Sequence, residues 1–267
     1  MTKNLALWLI LVLALSYGVF QSINPFLKPI FQSDIREEVK NPMNKLINDL
    51  DMKINKRETM SKKEINSINT DIAKISPNNE EERLYIEYTK LILDFKAFDE
   101  ASAAKLTIAN NINYIEDAFT DETYKNSFLI EKYISSFEKR KKAIIEYNQA
   151  YLRNVERTLN KAEATIPTEM FEKFKKGIEL NQTKADRMLN SGKNYYQVGI
   201  DLLKVMMYIN INHLFVFEDN IFYITDDEYL DKYNKLVEKL NFSLTSHLQA
   251  KEEYFSLLRQ SLKRHSR

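Results

Sequence analysis

Only four glycines and five prolines occur in this 267-residue chain, and that scarcity limits its fold more than any other feature. Glycine makes up about 7% of an ordinary soluble protein, where it supplies the turn conformations other residues avoid. A chain this poor in both residues makes few tight turns, so it favours long helices joined by few connections. The expected fold class is all-α. An N-terminal membrane anchor or signal segment (residues 1–22) leads through a Pro-containing linker (23–32) into an elongated antiparallel helical bundle (33–267). One small β-hairpin is expected at about 214–224.

The first segment carries the uncharged run Leu5 to Phe20 behind Lys3. A helix over it is roughly 24 Å long, short of the ~30 Å hydrocarbon core but able to reach across by snorkelling or local thinning. Its core, Leu5 to Leu15, also has the size of a cleavable signal peptide's apolar region, with Ala14-x-Ser16 or Ser16-x-Gly18 as cleavage positions. The membrane-facing residues are Leu5, Trp8, Leu11, Leu15 and Phe20. Lys3 and the amino terminus are positive, whereas the far flank carries Asp34, Glu37 and Glu38 beside Lys28 and Arg36. The positive-inside rule then places the N-terminus in the cytoplasm and the body outside. The expected location is the bacterial inner membrane, single-pass with a periplasmic body; cleavage would make the chain periplasmic or secreted. Met1-x-Lys3-Asn4-Leu5-x-Leu7-Trp8-Leu9, followed by Phe20-Gln21-Ser22, resembles the opening of the membrane-anchored ATP-dependent zinc proteases of the bacterial inner membrane. The resemblance covers about 22 residues and implies an uncleaved anchor ahead of a periplasmic region. That family's phosphate loop and His-Glu-x-x-His do not follow here.

Lys and Arg number 39 against 38 Asp and Glu, so no global field draws the chain to nucleic acid. The absence of cysteine removes disulfides, thiol nucleophiles and Cys-based metal sites. In the body, a helix from Ser33 carries Val39, Leu46, Ile47, Leu50 and Ile54, with Pro42 kinking it. Ser61 and Glu64 form a capping box before the stripe Ile65, Ile68, Ile72, Ile75. Ser76-Pro77-Asn78-Asn79 breaks the chain. Glu80-Glu81-Glu82 then opens a helix, where the positive end of the helix dipole favours acids over a metal reading.

Asp121 to Ala164 reads as one unbroken helix whose seam is Ile130, Ile134, Phe137, Ile144, Tyr151, Val155, Leu159 and Ala162, interrupted by Lys141 and Asn148. The basic run Lys139 to Lys142 reads as a solvated face. Pro167 starts the next helix, in which Gly192 and Gly199 permit close packing or a bend. Leu214–Phe217 and Ile221–Ile224, around Glu218-Asp219-Asn220, form the hairpin. Thr225 and Glu228 cap the last helix, whose stripe is Tyr229, Tyr233, Leu236, Leu240, Leu244, Leu248, Phe255, Leu258 and Leu262. The unit Asn220-Ile221-Phe222 with Tyr233-Asn234-Lys235-Leu236 is similar to one in uncharacterised exported helical proteins of proteobacteria. That resemblance spans under thirty residues and implies no activity.

His213, His247 and His265 stand apart with no partner at ligand spacing, and neither a nucleophile elbow nor a Glu-x-x-His pair occurs. No catalytic residue, metal ligand or cofactor is therefore assigned, and the chain is read as no enzyme. The expected function is a non-catalytic envelope protein that contacts a protein partner through Phe215, Phe217, Ile221 and Tyr223 and through Tyr195 and Tyr196. The alternative is a periplasmic binder of a hydrophobic ligand or lipid. A cell-envelope hydrolase, which needs convergent carboxylates in a cleft, stands third; Glu87, Asp94 and Asp99 could meet Glu131 or Glu146 inside a bundle, but helices of this composition always offer such pairs.

Overall fold

The computed structural model of the protein describes residues 35–56, 62–110, 116–218 and 221–263. The expected membrane-segment residues Leu5, Trp8, Leu11, Leu15 and Phe20, the linker 23–32 and the basic tail lie outside the described residues. The described chain is mostly helical. It runs α1 (Glu37–Lys56), α2 (Lys62–Ala73), α3 (Glu80–Asn110), a 3-10 turn (Glu116–Phe119) and α4 (Asp121–Tyr124). Then follow α5 (Ser127–Thr165), α6 (Thr168–Ile211), β1 (Phe215–Glu218), β2 (Ile221–Ile224) and α7 (Asp227–Lys263). Among the described residues no helix is long and apolar enough to cross a membrane.

The chain divides into two compact units. Unit 1 comprises residues up to 108, 147–186 and those from 252; unit 2 comprises 109–146 and 187–251. In unit 1, α1 buries Val39, Met43 and Leu46 at helical spacing and continues through Pro42. α2 buries Ile65, Ile68 and Ile72, as their spacing of three and four predicts. On α3, Tyr88 meets Phe174 edge-on at 6.0 Å and Phe95 meets Tyr151 edge-on at 6.0 Å. The Asn154 amide, buried on α5, donates to the Phe95 carbonyl at 3.2 Å, which satisfies a polar group inside the apolar layer.

The start of α3 is built from three polar residues. Asn79 Oδ1 accepts from the Glu82 backbone N–H at 2.8 Å, and Glu82 Oε2 accepts from the Asn78 N–H at 2.7 Å. Asn79 is the cap, and Glu82 reaches back past it to the preceding residue, a variant of the capping box. Arg36 closes it with a two-pronged fork, Nε to Oε1 and Nη2 to Oε2, each at 2.8 Å. Glu82 is buried, with 1% of its surface exposed. The Arg36 fork, and next the Asn78 N–H, hold its carboxyl down to about 2.

Unit 2 departs from one sequence expectation. The helix anticipated over Asp121–Ala164 is broken after one turn, and α5 begins at Ser127. The cause is Asn126, whose side-chain oxygen accepts from the backbone of Phe128 at 3.1 Å and Leu129 at 3.3 Å. An Asn in that role caps a new helix instead of continuing the old one. Phe137 of α5 then packs edge-on against Phe119 at 5.8 Å and Tyr196 at 5.7 Å. Gly199 makes this approach possible: a Cβ there would stand 2.5 Å from Phe137 Cε2.

α6 and α7 run antiparallel in unit 2, with Asn194 donating to Ser243 and Tyr208 stacking on Tyr229. Two residues beyond α6, His213 turns the chain with a φ of 54°, the left-handed value usually given to glycine. Leu214 N–H bonds back to the Ile209 carbonyl at 2.9 Å, closing the terminus. On the part of α7 in unit 2 the inward stripe is Leu240, Ser243 and Ala250, with His247 half-buried among them. Leu244 and Leu248, expected on that stripe, are exposed.

Candidate functional site

A two-stranded hairpin is not stable alone in water, so its side chains must find cover on neighbouring elements. The strands pair antiparallel, Phe215 with Ile224, Val216 with Tyr223, Phe217 with Phe222 and Glu218 with Ile221. The register is that of a two-residue connection, and the first strand sits one residue later than expected. Alternation puts Phe215, Phe217, Phe222 and Ile224 on one face, all half-buried. Phe215 stacks on Phe222 at 4.9 Å, Phe222 leans on Tyr124 at 5.8 Å, and Lys125 Nζ stands 3.1 Å over the Phe217 ring. The opposite face presents the cross-strand pair Val216 and Tyr223, 43% and 46% exposed.

β2, α4 and the start of α7 enclose an open cleft of about 460 Å3. Its walls are Tyr124, Phe222, Tyr223, Ile224, Leu230 and Tyr233, and Asp121 and Asn234 supply its polar groups. Tyr124 and Tyr233 stand perpendicular, 6.3 Å apart, and are joined through their hydroxyls. Burial, and then the neighbouring Tyr233 and Asp121, push the Tyr124 phenol well above its ordinary value, so it remains a neutral hydrogen-bonding group. The Tyr124 backbone is itself fixed, its carbonyl accepting from the Asn210 amide at 2.9 Å. Asp226 starts α7, its Oδ1 accepting from Tyr229 N–H at 3.0 Å. This corrects the expected cap at Thr225. Beside the cleft, Tyr208 and Tyr229 stack at 4.4 Å, and the hydroxyl bond between them raises the Tyr229 phenol to about 12.

The residues expected to form a contact surface therefore divide. Tyr223 is exposed and lines the cleft. Phe215 and Phe217 belong to the covered face. Ile221 is placed by its backbone pairing with Glu218. Tyr195 and Tyr196 are buried, Tyr196 against Phe137 and Tyr195 parallel to His247, so neither offers a surface to a partner. The sequence reading missed Asp121, Tyr124, Phe222, Tyr233 and Asn234. Phe222, Tyr233 and Asn234 lay within a motif already singled out, but nothing local ties them to Tyr124.

Two other polar groupings bear on chemistry. Ser191 Oγ stands 3.1 Å from His247 Nδ1, but its proton goes to the Met188 carbonyl at 2.7 Å. A hydroxyl committed in that way is not being deprotonated by the imidazole. Burial, and then the Lys251 charge, push His247 down to about 4, which keeps it neutral. Of the carboxylates named as able to meet between helices, three have separate partners: Glu87 with Lys90, Asp94 with Lys161 and Glu146 with Lys142. Among the described residues no group of three or more His, Asp or Glu is placed to hold a metal ion. No protein family, curated protein or solved structure matches this chain.

Proposed function

We propose that this protein is a non-catalytic binding protein of the bacterial cell envelope, acting through protein contacts at the hairpin end of unit 2. In this reading residues 5–20 anchor it in the inner membrane, with the antiparallel helical body in the periplasm. The observation that carries the contact assignment is the exposed pair Val216 and Tyr223 beside the open aromatic cleft. A β-branched and an aromatic side chain held in the open on a paired hairpin have the character of an interface. The address rests on the uncharged run behind Lys3 and on both resemblances, to inner-membrane anchors and to exported helical proteins.

The test is photo-crosslinking in cells from a benzoylphenylalanine placed at position 223, with position 160 on the exposed face of α5 as control. The reading expects discrete adducts from 223 alone. Equal labelling from both positions, or none, overturns it. Protease added to spheroplasts checks the address, since the body should be digested from outside.

A second reading has one observation behind it. The cleft volume falls within the roughly 300–1,000 Å3 of small-molecule pockets, and its walls are mainly apolar. A hydrophobic ligand or lipid would co-purify as a discrete mass in native mass spectrometry; a clean mass of the free chain counts against it.

A further inference from the structure

The charge around the cleft differs sharply from that of the whole chain. Residues 116–126, 213–218 and 221–235, which build this end of unit 2, carry nine Asp and Glu against three Lys, while the whole chain is at +1. The three lysines are already engaged. Lys232 pairs with Glu228, Lys235 pairs with Asp231, and Lys125 lies over the Phe217 ring. Asp121 within the cleft, and Glu122 and Asp227 beside it, have no ion-pair partner among the described residues. A carboxylate set among aromatic faces suits an organic cation. The ring quadrupoles attract the cation's charge, the apolar walls take its alkyl stem, and the carboxylate completes the match. The contact of Lys125 with Phe217, at 3.1 Å to the ring centroid, shows the same chemistry satisfied internally on this hairpin.

The geometry points to this cleft as the receptor for lysine or arginine side chains of an extended, basic segment of a partner protein. A protein segment is favoured over a lone ammonium because unneutralised carboxylate continues past the cleft, with Asp227 exposed in the first turn of α7 after the capping Asp226. The cleft also opens beside β2. Because Thr225 N–H bonds to the Leu214 carbonyl, the antiparallel alternation turns the backbone groups of Phe222 and Ile224 away from β1. That edge can accept an extended chain while its side chains enter the cleft. This inference rests on the contact reading above and specifies the partner's chemistry.

The test titrates the full chain with a blocked hexalysine peptide and with its Nε-acetylated counterpart, following the backbone amide signals of residues 121–124 and 222–234 by NMR. Hexalysine should shift those signals and the acetylated peptide should not. Phe222→Leu, which keeps the volume apolar but removes the ring, should weaken binding about fivefold. Asp121→Asn should weaken it by a similar factor, and added salt should weaken it further. Tyr223→Leu, at an exposed position, serves as the ring-removal variant if Phe222→Leu disturbs the hairpin. Binding that is unchanged by both ring removals, or equal for the acetylated peptide, overturns the inference. Discrete crosslinks from position 223 without hexalysine binding would remove the cation inference and leave the contact reading standing. Hexalysine binding without crosslinks would do the reverse.

Discussion

α3 of unit 1 and α7 of unit 2 begin with nearly the same sequence signal, three acidic residues in a row: Glu80-Glu81-Glu82 and Asp226-Asp227-Glu228. Both runs sit where the helix dipole favours negative charge, yet their surroundings differ completely. Glu82 is buried and accepts from Arg36 and from the Asn78 backbone, so its charge is spent on holding unit 1 together. Of the α7 run, Asp226 caps the helix, Glu228 reaches only the exposed Lys232 among the described residues, and Asp227 faces water. Local sequence places acids at a helix start; whether they become structure or surface depends on a residue supplied from elsewhere. Here that residue is Arg36, 46 positions away from Glu82, and α7 has no counterpart among the described residues.

The contrast can be broken most forcefully at Glu82. Glu82→Gln removes the buried charge that the Arg36 fork meets and leaves the guanidinium only Glu38 and the Ser76 carbonyl among the described residues, so it should give the largest loss of denaturation midpoint of the substitutions considered. Asp227→Asn should leave the unfolding free energy within about 0.5 kcal/mol of wild type and the midpoint nearly unmoved. Equal effects would mean that the two acidic starts are not different in kind.

Acid titration sharpens the comparison, because the two units respond in different windows. The folded-state value of His247 lies at about 4, below its ordinary 6.5, so the unfolded chain binds the extra proton. Its stabilising contribution is complete above pH 6.5, is lost as pH falls towards 4, and amounts to about 3 kcal/mol. His247→Gln should flatten that slope. Glu82 lies at about 2 against an ordinary 4.5, so its contribution is complete above pH 4.5 and is lost only as pH falls towards 2. Unfolding free energy measured every half unit from pH 7 to 2.5 should therefore fall in two stages, the first absent in His247→Gln.

Gly199→Ala tests the packing of unit 2 with a smaller effect. The added methyl meets the fully buried Phe137 ring and cannot be accommodated by a flexible side-chain end. A cost of about 1–3 kcal/mol is expected, despite the better helix propensity of alanine. A stabilised variant would show that the ring moves freely.

Much of the fold was legible because it depends on local chemistry. Glycine scarcity pointed to long helices, Pro167 marked the α5–α6 boundary, and the period of Ile65, Ile68 and Ile72 located a buried stripe. The break at Asn126 was hidden because Asn tolerates helix interiors as well as caps, and only the bonds to Phe128 and Leu129 decide between them. The inward face of α7 was misplaced for a different reason. Apolar character favoured Leu244 and Leu248, but Ser243 and His247 face inward there, with partners in Asn194 and Ser191 on α6. The site was the least legible part. Tyr223 could be named from the hairpin pattern, whereas the cleft depends on Tyr124 meeting Phe222 and Tyr233 across roughly a hundred residues of chain.

The most direct measurement sets the two acidic regions against each other in one experiment. Hexalysine affinity by calorimetry and denaturation midpoint are recorded for wild type, Glu82→Gln and Asp121→Asn at a temperature where all three are folded. If unit 1 spends its carboxylate on stability and unit 2 keeps its own for a partner, Glu82→Gln loses midpoint and retains affinity. Asp121→Asn should then lose affinity about fivefold and retain midpoint. An Asp121→Asn variant that binds as wild type, or that falls in midpoint as far as Glu82→Gln, would contradict the account.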